Sequence, residues 1–395
     1  MTQESIALSE GPPTKPRHNS LWSEAAQDLA IAWPALLRPV IFLLCLIYAG
    51  NLSPSEVELL GRWPEPESAG YSPLEHRLTA SSDAAFYIHL AFDGYHSGDR
   101  ACAYYPLWPA TIRLVHALIG GHSVWPVFVL ASLLSSSGYM LLARLIRIVY
   151  GTEIARRAIL LHAAAPGALF LTTIYSEPLF FLLMAGLFLA LECERTAVAW
   201  ICALLLPLTR PIGVFALGPL VWRALRNPRQ YSRWTLCVAP LLGFLSYLGL
   251  MTLWTGNPFE GFAAEKLFPA QPSIWKIFDL VAFGKSFLHM GQFHRPLDSD
   301  LDRVFFVLFA GTVGATWKLR REWFWWAVLI GVVPATSSSL MSYTRYVAMV
   351  FPIFVVWAKW LTGPGKAILF WYVVLLGAAV QIFLMTRFVR FQWAG

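Results

Sequence analysis

The stretch WTLCVAPLLGFLSYLGLMTLW, Trp234–Trp254, carries no charged residue, and many similar windows recur along the chain. A helix that lies against water is polar on one face; these windows are apolar all round. A run of about 20 apolar residues matches the hydrocarbon thickness of a bilayer. Composition agrees: 13% of residues are charged and 57% hydrophobic, where soluble domains carry about 25% charged residues. The expected fold class is therefore an all-α polytopic membrane protein. The spans fall near 30–50, 124–149, 157–174, 178–193, 196–209, 211–225, 234–254, 301–317, 323–340, 346–361 and 366–386, a bundle of about 11 transmembrane helices. The two short spans around 196–209 and 211–225 meet at LLPLTRPIG, where Pro207 and Pro211 are expected to break the helix.

Residues 1–29 read as a cytoplasmic tail rather than a cleaved leader, because Met1–His18 is polar and contains proline. Residues 30–395 read as one transmembrane domain. With the N-terminus inside, the inner segments hold Lys15, Arg17, Arg144, Arg147, Arg156, Arg157, Arg195, Arg223, Arg226, Arg229, Arg233, Lys318, Arg320, Arg321, Lys359 and Lys366; the short outer turns hold Arg210 and Arg345. That asymmetry follows the positive-inside rule. It accounts for the net charge of +7 without a nucleic-acid partner. Arg38 falls inside the first span; either it snorkels to the cytoplasmic face or the span starts later than residue 30. The five cysteines have no metal-like spacing, and Cys102 stands alone in a loop.

Both long loops, 51–123 and 255–300, then lie outside, with the turns TTIYSEP, LTRP and SYTRY. Long loops in a compact protein are usually functional. Within the first, DAAFYIHLAFDGY sets Asp83, Tyr87 and Leu90 on one helical face, which predicts a short helix along the membrane surface. On the residues alone Asp83 reads first as an N-cap and second as a general base. Asp93 before Gly94 reads as a turn. His89 and His96 lack a clear third ligand, so a structural role is favoured over a metal site. Arg210 and Arg345 sit on the outer side against the charge rule, and an arginine fork suits phosphate. Glu177 opens a span on the same face and reads as a first-turn acid.

Four motifs in order resemble the PIG-V family, the second mannosyltransferase of GPI-anchor assembly, and its bacterial relatives. They are DAAFYIHLAFDGY with AYYPLWPATIRL, then YSEPLFFLL, LTRPIGVFALGPL and YTRYVAMVFPIF. The family form begins W-D-x-x-W-Y; here Ser82 and Phe86 replace the two tryptophans. The resemblance spans roughly residues 80–360. It implies a GT-C-type bundle and a polyprenyl-phosphate-sugar-dependent glycosyltransferase, mannosyltransferase-like and inverting. Asp83 is then the catalytic base, with Arg345 and Arg210 on the donor phosphate. Glu177, Tyr87, Asp93, Tyr104, Tyr105, Tyr175 and Tyr343 are expected to contact substrate. The partners implied are a lipid-linked sugar donor, a glycolipid or glycan acceptor and the membrane lipids. No cofactor is required, and phosphate as leaving group does not demand a metal. The competing class is a transporter or lipid flippase, which should show internal repeats and polar groups at mid-membrane; neither is apparent.

Overall fold

The structure, a computed structural model, describes residues 21–50, 70–79, 83–121, 123–268, 271, 273–288, 291–296, 299–337 and 340–395. Residues 1–20 of the expected tail at 1–29, and residues 51–69, 80–82 and 122 of the first loop, lie outside them. Among the described residues every regular element is helical. Four helices are long and apolar enough to cross a membrane: Trp22–Tyr48, Trp125–Tyr150, Tyr231–Thr255 and Ala367–Val389. A fifth crossing arises if Thr152–Ala164 and Pro166–Thr172, bent by 84°, count as one span. The other expected spans coincide with shorter helices, among them Glu177–Glu192, Thr196–Thr209, Leu217–Arg226, Asp300–Thr316, Arg321–Ser337 and Phe351–Trp360.

The first helix, Leu21–Leu36, already covers the last residues of the expected tail. Arg38 does not snorkel. It is buried, and its Nη1 donates to Ala168 O at 2.8 Å and its Nη2 to Ser135 Oγ at 2.9 Å. Its Nε donates to Ala35 O at 3.2 Å. That carbonyl would normally accept the N–H four residues on, but residue 39 is proline and has none. A buried cation thus answers carbonyl and hydroxyl groups that the apolar interior leaves unmet.

The core is built by the Trp125–Tyr150, Glu177–Glu192, Thr196–Thr209 and Tyr231–Thr255 helices, each packed against the next. Tyr139, Phe180, Phe181 and Trp326 are fully buried in it. Proline shapes the ends of these helices nearest the polar residues. Pro207 stays inside its helix, and the break comes at Arg210, whose backbone is extended ahead of Pro211 (φ −155°, ψ 148°). The helix Asp83–Phe92 forms where the sequence places one and is sunk in the protein, with Phe86, Tyr87, Ile88 and Leu90 buried.

Candidate active site

Four separate segments deliver charge to one point. Asp83 opens the Asp83–Phe92 helix, and Glu177 opens Glu177–Glu192. Arg210 sits in the extended break before Pro211. Arg345 lies in the short helix Tyr343–Val347. The Arg345 Nη2 meets Asp83 Oδ2 at 2.8 Å. Its Nε donates to Glu177 Oε1 at 2.8 Å, and its Nη2 also contacts that oxygen. Arg210 Nη1 pairs with the same Glu177 Oε1. Glu177 is almost fully buried, and its Oε2 has no hydrogen-bond partner. Two guanidinium groups and two carboxylates therefore balance in a site largely shut off from water, where such contacts are stronger than at a surface.

An aromatic wall surrounds the charges. The Arg345 guanidinium lies 4.6 Å from the Phe170 ring centre and 5.0 Å from that of Tyr175. Arg210 lies 5.7 Å from Tyr346. The Tyr104 hydroxyl donates to Asp83 Oδ1 at 2.9 Å. Burial, and after it the Asp83 carboxylate, pushes the Tyr104 phenol well above its ordinary value, so Tyr104 stays a donor. The Asp83 backbone N–H donates to Tyr175 Oη at 3.3 Å. The Tyr87 and Ser176 hydroxyls are 2.8 Å apart. Burial, and then Glu177, raises the Tyr87 phenol.

The backbone around Arg345 is held from two sides. The Thr344 N–H donates to Asp302 Oδ1 at 2.7 Å. Asp302 is buried, with His294 Nδ1 3.6 Å from its Oδ2 and its own N–H on Ser299 Oγ at 3.1 Å. On the other side Gly167 packs against the Thr344 carbonyl, where any Cβ would collide. Only glycine permits that approach.

Of the residues expected from sequence, the structure gathers Asp83, Arg345, Arg210, Glu177, Tyr87, Tyr104 and Tyr175. It sets three apart. Asp93 is exposed and pairs with His89 Nδ1 at 2.8 Å, while His89 Nε2 meets Asp99 Oδ2 at 2.8 Å. Tyr105 stacks on Tyr247 with ring centres 4.0 Å apart. Tyr343 is buried against Phe306 and Phe309. Sequence reasoning passed over Phe170, Ser176 and Asp302. Phe170 looks like any member of an apolar run, and Asp302 like any first-turn helix acid. Among the described residues no three His, Cys, Asp or Glu side chains converge as metal ligands do.

No curated protein matches the chain. Among solved structures, the oligosaccharyltransferase of Archaeoglobus fulgidus in its apo form is 14% identical with a TM-score of 0.48, over 90% of this chain and 56% of that one. Its complex with Zn and sulfate is 13% identical at a TM-score of 0.47, over 91% and 53%. The archaeal oligosaccharyltransferase AglB from the same organism, with an inhibitory peptide and a dolichol-phosphate, is 13% identical at 0.42, over 93% and 56%. The chain spans about half the length of these structures. A family model also matches, over residues 62–227, which contain Asp83, Glu177 and Arg210 but not Arg345. That family is the mannosyltransferase (PIG-V) family, the one the loop motifs resemble.

Proposed function

We propose that the chain is an integral-membrane glycosyltransferase that moves a sugar, mannose on the family likeness, from a polyprenyl-phosphate carrier to an acceptor hydroxyl. The observation that carries this reading is the meeting of Asp83 and Glu177 with Arg345 and Arg210 at one buried ion-paired centre. A lipid-phosphate donor needs a cationic seat, and an attacking hydroxyl needs a base.

The acceptor O–H gives its proton to Asp83 as its oxygen attacks the anomeric carbon. The bond from that carbon to the phosphate oxygen breaks, the phosphate leaves with the electron pair, and configuration inverts. Negative charge grows on the phosphate in the transition state, where Arg345 and Arg210 act most strongly. At rest Arg345 spends a hydrogen bond on Asp83. Passing that bond to the phosphate frees an Asp83 oxygen for the acceptor proton, so donor binding and base activation are one event. Glu177 and the Phe170 and Tyr175 rings keep the arginine fork aimed meanwhile.

The remaining features of this reading are a single domain over 30–395, about eleven helices within the membrane, a cytoplasmic N-terminus and a site facing away from the cytoplasm. The helices standing at every expected span and the uneven placement of Lys and Arg support it. The test is transfer from polyprenyl-phosphate mannose to host membrane lipids by the purified protein. Asp83→Asn keeps the shape and loses the base, and turnover is expected to fall by about 10²-fold or more. Full turnover by Asp83→Asn sinks the assignment, and translocation of the lipid without sugar transfer would favour a transporter.

A further inference from the structure

The second long loop carries large apolar side chains that the protein leaves bare. Trp275 and Phe278 fall in the 3-10 helix Ile274–Phe278, three residues apart and so on one side of it. Both are 77% exposed. Asp279 then caps the helix Leu280–Leu288, its Oδ1 accepting the Ala282 N–H at 2.8 Å. In that helix Phe283 and Phe287, one turn apart, pack on Phe306, with ring centres at 5.3 and 5.9 Å. Val281 and Leu288 project from the opposite side and are exposed, as is Leu280. The helix is therefore apolar where protein covers it and apolar where protein does not.

The attachment points set its level in the molecule. The Ser273 N–H donates to Ser337 O at 3.2 Å, at the last residue of the helix Arg321–Ser337. Phe306 stands about 9 Å along the Asp300–Thr316 helix from its first residue. Phe306 also meets Tyr343, 5.6 Å between centres, so both attachments lie at the pole that carries Arg345. Further along the loop Phe293 meets Phe383 at 5.7 Å, on the Ala367–Val389 helix, which is long and apolar enough to cross a membrane. These neighbouring helices are bare as well: Val304 and Val307 of the first, and Ile382 and Phe383 of the second, are exposed.

Water is a poor cover for such a surface, since exposed apolar patches on this scale mark a binding face. A bilayer interface suits it. Tryptophan and phenylalanine sit well at the acyl boundary, and Lys285, exposed on the same helix, has a stem long enough to lift its ammonium to the phosphates. We propose that Ile274–Leu288 is a membrane-docking surface that lies in the leaflet on the Arg345 side and takes lipid acyl chains against Trp275, Phe278, Val281 and Leu288. The rings of Phe283, Phe306 and Tyr343 join it to the turn that carries Arg345. The proposal rests on the reading of Asp300–Thr316 as a membrane-crossing helix.

The experiment uses the full chain, one copy per phosphatidylcholine nanodisc, with Cys193→Ser removing the exposed thiol. A nitroxide is attached at Phe278→Cys or Val281→Cys, with Val307→Cys and Ser97→Cys for comparison. Collisions with molecular oxygen, which concentrates in lipid, are read against collisions with a nickel chelate, which stays in water. The oxygen-to-chelate ratio at 278 and 281 is expected to approach that at 307 and to stand well above that at 97. A ratio at 278 and 281 no higher than that at 97, with 307 high, would overturn the docking surface and leave the span intact. Protection from both reagents at 278 and 281 would also overturn it, in favour of cover by protein. A low ratio at 307 would instead overturn the span on which the proposal rests.

Discussion

Glu177 holds two cations on one oxygen, since Arg210 and Arg345 both meet its Oε1. Its second oxygen is buried without a partner. Breaking a buried pair by removing one member is costly, about 3–5 kcal/mol, because the surviving charge stays buried. Glu177→Gln leaves two guanidinium groups with only Asp83 to balance them. The variant should unfold at a lower temperature than the native protein. An added anion can refill the place of the lost charge, so dodecyl phosphate should raise its unfolding temperature more than it raises that of the native protein. Thermal unfolding in detergent with and without the probe checks both halves. If the variant gains no more from the anion than the native protein does, Glu177 is not the group that balances the arginines.

Among the described residues, the turn before Arg345 twice departs from ordinary backbone preference. Leu340 and Ser342 both take left-handed conformations, with φ of 65° and 58°. Each costs about 1–3 kcal/mol and persists only where the surroundings enforce it. The enforcing contacts are the Leu340 N–H on Ala335 O at 3.0 Å, the Thr344 N–H on Asp302 and the Thr344 carbonyl against Gly167. In the proposed reaction Asp302 is a positioning residue, acting through the backbone beside Arg345. Asp302→Asn keeps an oxygen that can accept the Thr344 N–H; Asp302→Ala strands that N–H, at about 1–3 kcal/mol. The Ala variant should raise the KM for the lipid-phosphate donor by about ten-fold, with the Asn variant close to native. Steady-state kinetics against donor concentration separates them. Equal behaviour of the two variants would mean that the Thr344 contact does not position Arg345.

Across the whole molecule, what was legible depended on how far apart in sequence the cause lay. Charge-free windows mark helices because the signal is local, and each expected span carries one. The break at Arg210–Pro211 was legible for the same reason, since the residue before proline is pushed to extended backbone. Arg38 was misread because its partners, Ser135 and Ala168, are remote in sequence. The Asp83 helix was legible from its stripe, but its burial inside the protein was not, because an amphipathic stripe does not say what covers it. That Asp83, Glu177, Arg210 and Arg345 share one centre follows from packing, which single motifs do not encode. Sidedness is also a property of the whole chain, and one native residue reports it. Cys193 is exposed, while Cys45, Cys102, Cys202 and Cys237 are buried. It ends the Glu177–Glu192 helix at the pole opposite Glu177, beside Arg195. With the N-terminus inside, Cys193 faces the cytoplasm. A membrane-impermeant maleimide should leave the native protein unlabelled in intact cells and label it once they are permeabilised. Ser97→Cys, at an exposed position in the loop that this topology sets outside, should be labelled in intact cells. The opposite pattern would invert the topology and put the Asp83 centre on the cytoplasmic side, where the Arg210 and Arg345 positions would no longer break the charge rule.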